Sequence, residues 1–140
     1  MTCLNANKWL IGSIVLLDQF SKWLAGKFNL NLINEGFSFS LFPGFAYSLF
    51  FSLLILIFQI WLGWRLLKIM PASQAFRIGY ALLVAGGVSN LIDRFLIGGV
   101  RDWIRYSFLD LKIHGNLADL AIVVGCFLCI YSLRRLVQSA

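Results

Sequence analysis

Residues 88–104 read VSNLIDRFLIGGVRDWI and set Asp93, Arg94, Arg101 and Asp102 in a chain that is 60% hydrophobic and only 13% charged. Ionisable groups are costly in such surroundings, so each is a candidate for function as well as for packing. Asp18, Ser21 and Lys22 recur at i, i+3 and i+4, which puts them on one helical face where Asp18 and Lys22 can pair. Gly86, Asn90, Asp93 and Arg94 share a second stripe: the glycine lets a neighbouring helix approach, and the others offer it donors and acceptors. Both groups read equally well as structural ion pairs and packing glue. Asp102 and Asp119 stand outside these stripes and can face each other. Two carboxylates held together cannot both ionise cheaply, so one keeps a proton while the other stays charged. Such a dyad can activate a water held between its members, the charged one taking the proton and the neutral one donating to the attacked carbonyl. That is aspartic peptidase chemistry, and on spacing alone it competes with a pair of wet, inert interfacial carboxylates.

Other chemistries find less support. The one histidine, His114, reads as an interfacial loop residue with no evident Ser or Cys to activate. Cys126 and Cys129 lie in an apolar helix without further ligands, and three cysteines make no disulfide framework, so neither a metal nor a cofactor is expected. The net charge of +6 is scattered in ones and twos, which excludes a nucleic-acid stripe and points to lipid headgroups as the partner.

The elements that must position these residues are membrane helices. With 140 residues and a mean hydropathy of +0.83, the chain has room for one integral membrane domain over 1–140. The run 36–64 carries no charge, and a bilayer core of about 30 Å is crossed by roughly 20 helical residues. Three shorter runs, 9–17, 78–92 and 120–133, reach spanning length only by taking in ionisable neighbours. The first follows Lys8 like a secretory signal, but Asp18, Gln19 and Lys22 stand where small cleavage-site residues belong, so a retained helix is expected. Leu24-Ala25-Gly26 resembles the start of a lipidation site, yet Lys27 replaces the acceptor cysteine.

The expected fold is an all-α membrane protein, a bundle of four transmembrane helices at about 8–27, 45–70, 75–98 and 116–137. Phe28, Leu30 and Leu32, then Phe37, Phe39 and Leu41, alternate with polar residues around Asn34-Glu35-Gly36, which predicts a small extracytoplasmic β-hairpin or cradle over about 28–42. Val100, Trp103, Ile104, Phe108 and Leu111 recur at helical spacing, which predicts a short interfacial helix within 99–115. A short connection at Pro71 makes the second and third helices antiparallel, so Asp18, Lys22, Asn34, Asn90, Asp93, Arg94, Asn116 and Asp119 converge on the opposite face. Lys8, Arg65, Lys68, Arg77, Arg134 and Arg135 fall on the Pro71 side and an equal number of cations on the other, so the positive-inside count is tied. All six acids lie away from Pro71, which favours a cytoplasmic Pro71 side with both termini beside it.

Four blocks in order resemble signal peptidase II, the bacterial lipoprotein signal peptidase family. Asp18-Gln19-Phe20-Ser21-Lys22 is similar to its D-x-x-S/T-K, and Asn34-Glu35-Gly36-Phe37-Ser38-Phe39-Ser40 to its N-x-G-x-A/S-F-G/S. Gly86 through Arg94, followed by Val100-Arg101-Asp102-Trp103-Ile104, resembles G-x-x-x-N-x-x-D-R and V-x-D-F-I, and Asn116-Leu117-Ala118-Asp119 resembles N-x-A-D. Trp103 stands where the family has Phe, and Gly115 where an aromatic often precedes the Asn. The resemblance implies that Asp102 and Asp119 are catalytic. It places Asn34, Gly86, Asn90, Arg94, Asn116 and Ala118 around substrate or inhibitor, and makes Asp18, Lys22, Gly36 and Asp93 structural support. It also implies the activity: removal of the signal peptide from diacylglyceryl-modified prolipoproteins on the amino side of the lipidated cysteine, blocked by globomycin-type inhibitors, in the bacterial inner membrane. A monomer is expected. The rival expectations are a small transporter or channel, whose charges should sit near mid-bilayer, and a non-catalytic lipoprotein-binding relative.

Overall fold

Polar side chains are buried and apolar ones face outward, the reverse of a protein folded in water. Asp18, Lys22, Ser48, Ser89, Asp93 and Asn116 are wholly inaccessible, while Trp9, Leu16, Phe50, Ile57, Phe95 and Phe127 are more than half exposed. Lipid tails solvate the apolar shell, and the polar groups satisfy one another inside it. The computed structural model of the chain describes residues 2–35, 45–69, 73–108 and 111–139.

Among the described residues four helices carry the architecture: α1 (Thr2–Lys27), α2 (Phe45–Ile69), α3 (Gln74–Ile97) and α4 (Leu117–Ser139). At about 1.5 Å per residue each runs roughly 35–39 Å. Segments of α2, α3 and α4 are long and apolar enough to cross a membrane. The helix ends follow from local chemistry. Asn29 adopts a left-handed conformation after α1, where the Leu30 N–H reaches the Ala25 carbonyl and the Asn31 amide donates to the Lys22 carbonyl at 2.8 Å. Ser73 caps α3 by accepting from the Phe76 N–H, and Gly98, at φ 77°, ends it.

Helices α3 and α4 pack through small residues. A Cβ at Gly86 would stand 2.5 Å from the Ala118 carbonyl oxygen, and one at Gly125 would stand 2.6 Å from that of Gly79. No larger residue fits at this separation, so the glycines set the closeness of the pair.

The described residues of 99–115 correct an expectation: they form strands instead of an interfacial helix. Strand β2 (Val100–Asp102) is followed by β3 (Ile104–Phe108) and β4 (Leu111–Gly115), and β3 and β4 pair antiparallel from Ile104↔Gly115 to Phe108↔Leu111. The apolar positions 100, 104, 108 and 111 suit a helical period, but Ile104, Tyr106 and Phe108 also alternate, and tertiary pairing decides between the two. His114 therefore lies on a strand, opposite Arg105. Strand β1 (Leu32–Asn34) pairs with β2, Leu32↔Asp102 through Asn34↔Val100. The hairpin partner expected at 37–41 lies outside the described residues, as does Gly36. Gly99 permits the β1–β2 pairing, since a Cβ there would meet Ile33 and the Asn34 carbonyl at 2.8 and 2.9 Å.

Candidate active site

The α4 N-terminus is built as a reciprocal cap. Asn116 Oδ1 accepts the Asp119 N–H at 3.0 Å, and Asp119 Oδ2 accepts the Asn116 N–H at 3.1 Å. A third orphan donor of this helix end, the Ala118 N–H, goes to Asp18 Oδ1 of α1 at 2.9 Å. The Asn-x-Ala-Asp block is thus a helix start with one carboxylate folded back over it.

Asn116 also reaches the second carboxylate. Its Nδ2 donates to Asp102 Oδ1 at 2.8 Å, and Asn34 Nδ2 donates to Asp102 Oδ2 at 3.2 Å. The Asn34 contact runs across the β1–β2 ladder, which explains why a three-residue strand pairs at this place. On the far side, Asn90 Nδ2 donates to Asp119 Oδ1 at 2.8 Å. Asn90 Oδ1 in turn accepts from Lys22 Nζ at 3.0 Å. Side-chain amides can be read either way round, but here an ammonium, which can only donate, fixes the Asn90 oxygen towards α1 and its NH₂ towards Asp119. The result is an unbroken chain of hydrogen bonds from Asn34 through Asp102, Asn116, Asp119 and Asn90 to Lys22.

Lys22 anchors this chain in a buried ion cluster. Its Nζ lies 2.6 Å from Asp18 Oδ2 and 3.3 Å from Asp93 Oδ2, and all three side chains are inaccessible. Ser89 donates to Asp18 Oδ2 at 2.7 Å. Arg101 lies 2.5 Å from Asp93 and completes the charge balance of two acids and two cations. Arg94 donates through Nε to Ser48 of α2 at 2.7 Å.

Asp102 is 3% exposed. Burial pushes its carboxyl above the ordinary carboxylate range, and the negative charge of Asp119 adds to the rise. The hydrogen bonds from Asn34 and Asn116 oppose it. Two carboxylates linked by one asparagine, one of them held against ionisation, can share a proton and polarise a water between them.

Of the residues singled out in the sequence, Asp102, Asp119, Asn34, Asn90 and Asn116 are hydrogen-bonded to one another, and Asp18, Lys22 and Asp93 form the adjoining ion cluster. Gly86 and Ala118 meet at the α3–α4 contact. Gln19, Ser48, Ser89 and Arg101 join the network without having been singled out as site residues. Arg101 gives no signal under a helical reading of 99–115: only in a strand must its neighbour Asp102 point to the opposite face, which leaves Arg101 directed at the helices.

The family model for signal peptidase (SPase) II matches residues 10–135. The chain is 34% identical to the lipoprotein signal peptidase of Gloeothece citriformis, over 85% of this chain and 83% of the relative. It is 30% identical to that of Caldanaerobacter subterraneus, over 87% and 91%. A solved structure described as a bacterial membrane enzyme superposes with a TM-score of 0.76 at 22% identity, covering 95% of this chain and 90% of that one. The match over nearly the whole length, in both sequence and fold, makes this chain a member of the signal peptidase II family.

Proposed function

We propose that the chain is a membrane aspartic endopeptidase that removes the signal peptide from diacylglyceryl-modified prolipoproteins, cutting on the amino side of the lipidated cysteine. The observation that carries this reading is Asn116, which donates to Asp119 through its backbone and to Asp102 through its side chain. One proton is shared by the pair. The charged member takes a proton from water as that water attacks the scissile carbonyl and the neutral member donates to the carbonyl oxygen. The gem-diol then collapses: the C–N bond breaks as the newly protonated carboxyl donates to the leaving amine, a diol hydroxyl proton returns to the other carboxylate, and no covalent enzyme intermediate forms. Asn34, Asn90 and Asn116 hold the two carboxylates, and Arg94 supplies positive charge beside them. Gly86 and Ala118 keep α3 and α4 close enough for Asn90 to reach Asp119. The substrate's acyl chains stay in the bilayer while its peptide enters from the strand side, so anchoring does part of the catalytic work. Globomycin-type inhibitors occupy the same place, and the enzyme acts as a monomer.

In this reading α1 is a fourth span. Its outer face presents Trp9, Leu16, Leu17, Phe20 and Trp23. Lys27 lies 5.4 Å from the Trp23 ring at its last turn, like Lys68 at 3.5 Å from Trp64 and Arg135 at 5.6 Å from Tyr131 at the ends of α2 and α4. Aromatic and cation pairs of this kind belong at headgroup depth. The end carrying the α2–α3 connection and both termini holds no acid and faces the cytoplasm, with the strands and the carboxylates near the outer face of the inner membrane.

The test is incubation of the purified protein with a lipidated and an unlipidated precursor, with and without globomycin, followed by mass analysis. Cleavage confined to the lipidated precursor and stopped by the inhibitor is expected. Asp102→Asn and Asp119→Asn should each abolish it while still inserting and folding; normal cleavage by either variant contradicts the dyad.

A further inference from the structure

One well-connected side chain near the carboxylates is used by neither the mechanism nor the family blocks. Arg101 follows Val100 in strand β2 and immediately precedes Asp102. Its backbone N–H donates to Asp93 Oδ2 at 3.0 Å, its Nε to the same oxygen at 3.3 Å and its Nη2 to Oδ1 at 2.5 Å. The same Nη2 donates to Gln19 Oε1 at 2.7 Å. Gln19 is itself fixed, since its Nε2 donates to Asp93 Oδ1 at 3.0 Å and to the Ser89 carbonyl and hydroxyl at 3.1 and 3.0 Å. One strand residue therefore grips α3 by a two-pronged ion pair and α1 by an amide. A planar guanidinium holds a carboxylate in one orientation, which a point charge does not.

The consequence falls on Asp102. Strand β2 is three residues long, and among the described residues its ladder is with the equally short β1. Two such strands do not hold a fixed position by themselves. Because adjacent strand residues point to opposite faces, locking Arg101 onto the helices sets the height and direction of Asp102 on the other side. We propose that Arg101 is a positioning residue, which through Asp93 and Gln19 pins β2 to the α1–α3 seam and so sets where Asp102 stands against Asp119. This rests on the peptidase reading for its effect on rate, but the clamp itself can be read without any cleavage.

The experiment compares full-length wild type with Arg101→Gln, Arg101→Lys and Gln19→Leu in lipid nanodiscs, by hydrogen exchange and by cleavage of a lipidated precursor. Arg101→Gln should speed exchange in peptides covering 32–34 and 100–102 while those of α3 and α4 keep their protection. Its kcat per folded molecule should fall about tenfold with KM within about twofold, since a misplaced group loses chemistry before binding. Arg101→Lys, which keeps the charge and loses the fork, should recover part of that loss. Gln19→Leu should act in the same direction more weakly and add little on top of Arg101→Gln. Unchanged exchange at 32–34 and 100–102 overturns the clamp, whether or not the wild type cleaves. A loss carried by KM overturns it too, because that would make Arg101 a substrate contact. Faster exchange together with a wild type that cleaves nothing supports the clamp and removes the peptidase reading instead.

Discussion

Lys22 lies between Asp18 and Asp93 with no accessible surface, and its cost of burial is offset only while both acids are there. Removing one partner of a buried cluster leaves uncompensated charge, which typically costs about 3–5 kcal/mol, whereas removing matched partners together costs much less. Lys22→Met is accordingly expected to lower resistance to denaturant by that amount, and Asp18→Asn combined with Lys22→Met to regain more than half of it. A double variant no better than the single would show that the pair is not the seat of the effect. Asp102 offers a test of a different kind. Its carboxyl is raised by burial first and by Asp119 second, and the Asn34 hydrogen bond pulls it back down. That bond favours the charged form, so Asn34→Leu raises the ionisation range of Asp102 further. Whichever limb of the rate profile reports Asp102 should then move to higher pH, besides any loss of rate. A limb that stays in place, or moves to lower pH, contradicts the assignment of the Asn34 contact.

The helix pair α3–α4 depends on close approach. A Cβ at Gly86 would overlap the Ala118 carbonyl at 2.5 Å and Ile122 at 2.6 Å, and backbone cannot swing aside. Gly86→Ala should therefore destabilise by about 1–3 kcal/mol and, by separating Asn90 from Asp119, depress cleavage beyond the loss of folded protein. Gly12→Ala, with nothing within 4 Å of the added methyl, is the matching control and should be neutral. The two kinds of element differ in how readily the sequence discloses them. Asp18 and Lys22, or Gly86 and Asn90, are joined by helical spacing, so these groupings could be read directly, whereas the cap that joins Asn116 and Asp119 follows from the structure. The pairing of Leu32 with Asp102 joins three-residue strands far apart in the chain, and so short a strand carries no period of its own. For the same reason residues 100–111 suit a helix and a hairpin alike, and the strand reading follows only from contacts such as the Trp103 N–H to the Gly115 carbonyl at 3.0 Å. The clamp at Arg101 was hidden with it, because its direction depends on residue 101 being extended.

At the scale of the whole molecule, charge and apolar surface make a single argument about placement. Twelve cations divide evenly between the two ends, but the five described acids, Asp18, Glu35, Asp93, Asp102 and Asp119, all lie at the strand end, where they offset the cations beside them. What remains is an uncompensated positive end at the α2–α3 connection and the termini, the arrangement that anionic cytoplasmic headgroups attract. The proposed placement requires α1 to cross the bilayer although it carries Asp18 and Lys22. It can do so because both are paired and turned inward, leaving Trp9, Leu16, Phe20 and Trp23 to the lipid. A fully paired, wholly buried ion pair presents no charge to the membrane, so a helix rated by residue type alone reads as less apolar than the surface it exposes. Single cysteines at Lys8 and Glu35, in a background lacking Cys3, Cys126 and Cys129, flank the apolar stretch of α1 and test crossing and orientation together. Both positions are exposed. In intact cells a membrane-impermeant thiol reagent should label Glu35→Cys and spare Lys8→Cys until the membrane is opened. Labelling of both before opening would mean that α1 does not cross. The reverse pattern would keep the span but invert the molecule, setting Asp102 and Asp119 on the cytoplasmic side, away from the surface where translocated precursors emerge.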